Sequence, residues 1–188
     1  MQCIRKNHKR SVFYDSETKR YIKVFTPKLE LKIKYWLGLR KYPGLNFAHI
    51  ANRLEELGIS TPKVVHAEKY KVVTEEIAAP TVREYLEKKP DPALESRLVD
   101  QIATVLNAGI SFFDFHYDNF MYKDGESIAL DLEGYSDSIF LSRGRKGVLY
   151  RIEKHLGKDF RNEVEKRWTN ITPAQRVSEV FQTLRGRK

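Results

Sequence analysis

The 188-residue sequence has one cysteine, Cys3, so no disulfide can close within the chain and a reducing compartment is the natural expectation. No apolar run approaches the roughly eighteen residues that a membrane-spanning helix needs. The opening MQCIRKNHKR carries charges with no apolar stretch behind them, so no secretory leader is expected. Cysteine and histidine spacings of a zinc site are missing, as is any aromatic RNA-binding motif. Nucleic acid as a partner therefore rests on charge alone and is unlikely on this reading. Internal repeats and low-complexity linkers are absent too, which points to one domain over residues 1–188.

What the chain does contain is 41% hydrophobic and 31% charged residues, a balance that fits a globular protein with a real core. The net charge of +9 is unevenly spread. Residues 1–41 hold twelve Lys/Arg against three acids, residues 42–142 nine against seventeen, and residues 143–188 thirteen against five. Basic ends around an acidic middle suggest an anionic partner: a phosphorylated glycolipid, a membrane face or nucleic acid. Solvated surface charge is the plainer explanation of the same pattern.

Hydrophobic periodicity predicts strands at 11–14 and 20–26, joined by the polar turn DSETK. Residues 29–41 alternate as a strand would, yet their Leu, Lys and Glu content favours a helix. A second helix is predicted over 46–57, with Gly58 as its stop. Short strands are expected around Lys63–Glu68 and Tyr70–Glu75. Pro80 and Thr81 open a helix, a longer one covers 93–107, and 148–167 and 173–185 read as helical. The order is a strand-rich first third followed by a mainly helical remainder enclosing one small hairpin, an α+β pattern.

The chemistry concentrates in ISFFDFHYDNFMYKDGESIALDLEG, residues 110–134. Asp114 and Asn119 stand five apart, and Asp131 follows Asn119 by twelve at the end of the apolar run SIAL. A hairpin turning at Asp124–Gly125 would bring Asn119 and Asp131 side by side. Such an oxygen pair suits Mg²⁺, which takes few protein ligands and relies on phosphate and water for the rest. Asp114 would then face an acceptor hydroxyl as its proton acceptor. Phosphoryl transfer needs this division of labour, and D-x-x-x-x-N followed by Asp is the catalytic-loop pattern of kinases. Asp and Asn are also ordinary turn residues, so the pattern gains weight from its setting of helix, loop and hairpin. His116 has two readings, contact with substrate or metal, or a local hydrogen bond that holds the turn; the second is favoured. Upstream, Lys23 in the apolar strand YIKVF is the candidate phosphate-binding lysine, against the alternative of a surface lysine on an edge strand. VVTEEI, 72–77, matches a strand and linker whose backbone at Glu76 and Ile77 would meet adenine of ATP.

DFHYDN resembles the D-x-H-x-x-N loop of aminoglycoside phosphotransferases and bacterial sugar kinases. Together with YIKVFTPK, RLEELGISTP and DLEG, it resembles the lipopolysaccharide core heptose kinase family over roughly residues 11–140. That resemblance implies a protein-kinase-like two-lobe fold, with a small β-rich N-lobe at 1–76 and a short, mainly helical C-lobe at 77–188. It implies an ATP- and Mg²⁺-dependent enzyme that phosphorylates inner-core heptose. It also implies a cytoplasmic place, peripheral to the inner membrane. Trp36, with Tyr35, Lys32, Lys34 and Arg40, could form an interfacial patch. A helix packing its apolar side on the sheet is the favoured expectation there.

Three departures accompany the resemblance. No glycine-rich loop precedes Val12, so phosphate cover would fall to the basic turn KNHKR or to backbone amides. No glutamate is obviously placed to pair with Lys23; Asn46, His49, Glu55 and Glu56 are the candidates. Nothing after Gly134 resembles an activation segment and the C-terminal lobe is short, which, with Phe112 standing where protein kinases usually carry histidine, argues against a regulated protein kinase. A protein Ser/Thr kinase and a non-catalytic kinase-shaped protein binding an anionic partner stand as the alternatives.

Overall fold

The structure, a computed structural model, describes residues 1–112, 114–138, 144–173, 175–177 and 180. Its first part is a five-stranded antiparallel sheet with two helices. The strands are β1 (Gln2–Lys6), β2 (Arg10–Asp15), β3 (Arg20–Phe25), β4 (Val64–Glu68) and β5 (Lys71–Glu75), arranged β1-β2-β3-β5-β4. Between β3 and β4 lie α1 (Leu29–Trp36) and α2 (Pro43–Glu56). The second part is mainly helical: α3 (Val82–Lys88), α4 (Pro92–Asn107), α5 (Arg145–Leu156) and α6 (Lys158–Arg167). It encloses the hairpin β6 (Phe120–Lys123) and β7 (Glu126–Ala129).

β3 is the central strand. Lys23 pairs across to Val12 on β2 and to Val72 on β5, so it does not stand on an edge. α2 covers the sheet because Phe47, Ile50, Ala51 and Leu54 recur on one helical face and are all buried. Burying each of the larger three contributes about 1.5–3 kcal/mol. The helix ends in a Schellman motif at Gly58 (φ 73°), with the Ile59 amide donating to the Leu54 carbonyl at 2.9 Å and Gly58 to Glu55 at 2.9 Å. At its other end Gly44 is pressed against the β4–β5 turn. A Cβ there would stand 2.1 Å from the Glu68 carbonyl oxygen and 2.4 Å from that of Lys71.

α4 buries Leu94, Leu98, Val99, Ile102, Ala103, Val105 and Leu106 against α6 and β7. One apolar cluster then runs from Phe25 and Val72 through α2 and α4 to Trp168. The hairpin turns where expected, with Asp124 (φ 52°) and Gly125 (φ 88°) both left-handed, as a tight two-residue turn of this hand requires.

Several sequence expectations are corrected. β1 was not anticipated: all five of its residues are exposed, so no alternation marks it. α2 begins at Pro43 rather than 46, since proline is well suited to the first helical position. The helix expected over 148–167 starts at Arg145 and is split in two at Gly157 (φ 94°). The one expected over 29–41 stops at Trp36, and its apolar side does not pack on the sheet: only Tyr35 is buried. The helix expected over 173–185 falls largely outside the described residues. Among the described residues, no helix is long and apolar enough to cross a membrane.

Candidate active site

The loop carrying Asp114 is hung on the core by its aromatic residues. Phe112 stacks flat on Tyr135 with centroids 4.4 Å apart and meets Phe115 at 4.2 Å. All three rings are buried. Ser111 and Ser136 exchange amide–carbonyl hydrogen bonds of 2.8 Å, which ties the start of the loop to the segment behind Asp131. The Asp114 carbonyl accepts from the His116 amide at 3.0 Å and from Asn119 Nδ2 at 2.8 Å. These bonds curl the backbone while the Asp114 carboxylate stays 70% exposed. His116 places Nε2 3.2 Å from Asp114 Oδ1 and packs its ring on His155 of α5 at 4.0 Å. The turn is closed by His116 through its backbone, whose carbonyl also accepts from the Asn119 amide at 2.9 Å, and its ring lies between Asp114 and His155.

The Leu130 amide donates to the Asn119 carbonyl at 2.8 Å, so the hairpin delivers Asn119 beside Asp131. Asp131 itself sits in the left-handed region (φ 50°, ψ 40°), a conformation that Asp tolerates better than most residues but at a cost. Its carboxylate is the centre of a four-membered ion cluster. Lys23 Nζ lies 2.5 Å from Oδ1 and 3.5 Å from Glu133 Oε2. Arg10 Nη2 lies 3.1 Å from Asp131 Oδ2, while Arg10 Nη1 makes a close contact with Glu133 Oε1. Two cations and two anions, each side chain between 13% and 29% exposed, neutralise one another in a partly screened setting. Burial would raise the Asp131 carboxyl, but the charges of Lys23 and Arg10 outweigh it and hold it below the usual carboxylate value. Burial pushes the Tyr135 phenol up, with Asp131 and Asp114 adding to the effect.

Asp114, Asn119 and Asp131 line one cavity of about 100 Å³, together with Arg10, Phe112, Leu130, Glu133, Gly134 and Tyr135. Lys23 meets it through Asp131. Glu76 and Ile77 lie outside this lining. The Glu76 side chain accepts from the Tyr14 hydroxyl at 2.9 Å, and its amide is committed to the Lys19 carbonyl at 2.9 Å. The Ile77 carbonyl accepts from the Ala79 amide at 3.0 Å.

No family model matches the chain, and no curated protein matches it. Solved structures do. The chain is similar to the streptomycin–ATP–APH(2")-IIa ternary complex, at 12% identity over 97% of this chain and 82% of that one, with a TM-score of 0.57. It is similar to ADP-bound aminoglycoside phosphotransferase APH(2'')-Ib at 13% identity, over 96% and 81%, TM-score 0.57. A gentamicin complex of APH(2")-IIa aligns at 12% identity over 99% and 86%, TM-score 0.56. The chain has the kinase-like fold.

Within that kinase-like fold, none of the four candidates on α2 pairs with Lys23. Asn46 Nδ2 donates to the Tyr135 carbonyl at 2.8 Å, and His49 Nε2 sits 2.5 Å from Asp137 Oδ2. Glu55 accepts from Thr61 and Glu56 pairs with Arg53. Lys23 turns instead to Asp131 and Glu133, and packs its Nζ 5.3 Å from the centre of the Phe47 ring. Arg10 and Glu133 are the members of the site that sequence reasoning missed. Their signals were present, since Arg10 closes the basic turn KNHKR and Glu133 fills the third position of the DLEG motif.

The donor set fits a hard divalent cation. With Nδ2 bonded to the Asp114 carbonyl, Asn119 keeps its Oδ1 oxygen, and Asp131 adds a carboxylate on the same cavity wall. Among the described residues, no group of three or more His, Cys, Asp or Glu forms a metal cage, so a cation here would rely on phosphate and water for its other ligands. A cation here would have to compete at Asp131 with Arg10 on one oxygen and Lys23 on the other.

Proposed function

We propose that the chain is an ATP-dependent phosphotransferase acting on a sugar hydroxyl, with a heptose of the lipopolysaccharide inner core as its acceptor. The observation that carries this reading is the convergence of Lys23 on Asp131 beside a cavity lined by Asp114 and Asn119, within a kinase-like fold. The acceptor class follows from the resemblance of YIKVFTPK, DFHYDNF and DLEG to the heptose kinases. It also follows from basic chain ends suited to a phosphorylated glycolipid. The lobes divide at Glu76–Ile77, and the protein works in the cytoplasm against the inner-membrane face.

Each residue then has a task. Asp114 accepts the proton of the acceptor hydroxyl, with His116 holding its carboxylate in position. Asn119 and Asp131 would hold Mg²⁺, which would supply neutralisation of the phosphate charge. Lys23 binds the α- and β-phosphates. The linker at Glu76–Ile77 receives adenine; because the Glu76 amide is already bonded to Lys19, the Ile77 amide is the donor to test. Arg10 stands at the place a glycine-rich loop would serve. With the site loaded, Arg10 would yield its Asp131 oxygen and meet the phosphates, so that a side chain would stand in for the backbone amides of a glycine-rich loop.

One observation favours a second reading, a non-catalytic kinase-shaped protein: both Asp131 oxygens already carry cationic partners. Mg²⁺-dependent ATP turnover, measured with and without lipopolysaccharide core acceptors, separates the two. Turnover stimulated by a heptose-bearing core is expected. Absence of Mg·ATP binding at millimolar concentration would leave only the second reading.

A further inference from the structure

α1 carries an exposed apolar stripe. Leu29, Ile33, Trp36 and Leu37 fall at spacings of four, three and one, a single helical stripe of the kind that normally faces a core. Here the stripe faces solvent: Leu29 is 72% exposed, Ile33 49%, Trp36 79% and Leu37 55%. The opposite side of the helix is the one attached to the body. Tyr35 is buried there against Tyr42 at 5.3 Å and Tyr70 at 6.3 Å. Lys32 and Lys34 flank the stripe, and Lys28, Arg40 and Lys41 extend the charge, against one acid, Glu30. Among the described residues, Lys28, Lys32, Lys34 and Arg40 have no acidic partner, whereas Lys41 pairs with Asp137 at 3.2 Å.

We propose that α1 and the turn to Lys41 form a docking surface for an anionic lipid bilayer, with the Leu29–Leu37 stripe entering the headgroup boundary and the lysines meeting lipid phosphates. This inference rests on the reading of the acceptor as a membrane-borne glycolipid, and names the surface that would bring the enzyme to it. An apolar stripe with tryptophan, flanked by basic side chains, is the composition of helices that lie in the interfacial plane. A second copy of the chain fits less well. A helix of eight residues is about 12 Å long. It offers far less than the roughly 800 Å² per partner of a standard interface. A symmetric pair would also set lysine against lysine. A bilayer tolerates a small footprint, because basic charge elsewhere in residues 1–41 adds to the attraction. Attachment through one short helix is weak and reversible, which suits an enzyme that must release its product.

The test is flotation of the full chain with vesicles of phosphatidylglycerol and phosphatidylethanolamine, or of phosphatidylcholine alone, without nucleotide. Tryptophan emission supplies a second readout. Trp168 is fully buried, so a blue shift on binding reports Trp36. Binding to the anionic vesicles only is expected, lost with rising salt. Replacing Lys32 and Lys34 together by alanine should weaken it about twenty- to thirtyfold, from about fivefold per lysine. Ile33→Ser with Trp36→Ala should abolish flotation, and Leu29→Ser with Ile33→Ser, which keeps Trp36, should abolish the blue shift. These side chains are solvent-exposed, so the fold survives all three changes, which circular dichroism checks. Equal binding by wild type and all three double variants, or no binding at low salt, overturns the proposal. So does a concentration-dependent dimer that Ile33→Ser with Trp36→Ala abolishes, which would give the stripe to a second copy. ATP turnover is assayed separately. Turnover without vesicle binding refutes docking alone; vesicle binding without turnover refutes phosphotransfer alone.

Discussion

Replacing Arg10 by alanine should change divalent-cation binding and nucleotide binding in opposite directions. In the structure the guanidinium donates to Asp131 Oδ2 at 3.1 Å and also contacts Glu133, so a cation entering at Asp131 must displace it. A charge-assisted hydrogen bond is worth about 1.5–3 kcal/mol. The Arg10 and Asp131 side chains are 23% and 29% exposed, and screening at that exposure leaves about 1–1.5 kcal/mol. Removing this competitor should tighten metal binding about five- to tenfold. The assay is a titration of the protein with Mn²⁺, without nucleotide, followed by electron paramagnetic resonance of the free ion. In the presence of Mg·ATP the sign should reverse. Under the proposed role of Arg10 at the phosphates, Arg10→Ala should bind nucleotide several-fold more weakly in calorimetry. Arg10→Lys should fall between wild type and alanine in both measurements. Unchanged or weaker Mn²⁺ binding by Arg10→Ala would refute Arg10 as the internal counter-ion of Asp131. Unchanged Mg·ATP affinity would refute its second role.

Asp114→Asn should spare Mg·ATP binding and lower kcat by about 10²–10⁴-fold, the range of base catalysis, in single-turnover transfer to the acceptor; wild-type turnover would remove Asp114 from the mechanism. Asp131→Asn should lose Mg²⁺-dependent nucleotide binding, and Asn119→Ala should resemble it more than Asp114→Asn, as isothermal titration would report. Lys23→Ala and Lys23→Arg should both weaken ATP binding strongly with the fold intact, because a planar fork does not replace a point charge. Equal affinities would reject the assignment. The Asp131 carboxyl is held below its ordinary value of 3.8, so its stabilising contribution is complete above that pH and is lost as pH falls below it. Thermal unfolding of wild type and Asp131→Asn between pH 2 and 7 should show a constant gap above about pH 4 that closes under acid; a gap that closes near pH 6 would contradict the ion cluster.

The meeting of the candidate residues Asp114, Asn119 and Asp131 was legible because it is carried by local spacing. Asp114, Asn119 and Asp131 belong to one stretch of chain whose hairpin turn, Asp124–Gly125, can be read from residue type. Lys23 was legible from apolar residues on both sides of it in a strand. Arg10 and Glu133 were not singled out because their pairing joins β2 to a turn more than a hundred residues away, and no local pattern encodes that meeting. The search for a glutamate on α2 found none for a related reason. Asn46 and His49 are used to hold the backbone and Asp137 behind Asp131, leaving Lys23 to the acids of that same segment. The fold was legible where periodicity reflects burial, as in α2 and α4. It failed at β1, which is exposed throughout. It failed at α1 for the opposite reason: the helical stripe was read correctly but assigned to the core, since periodicity records that a face is apolar and not what covers it.

The close approach at Gly44 sets a limit on how this chain can vary. A side chain of any size at that position would drive into two carbonyl oxygens of the β4–β5 turn, neither of which can swing aside as a side-chain end would. The same turn carries Tyr70, one of the rings that seats α1. Position 44 is therefore a spacer of zero thickness between helix, sheet and the outer helix. In a library of substitutions selected for folded protein, the half-exposed neighbour Leu45 should accept many residues, while Gly44 should return as glycine alone.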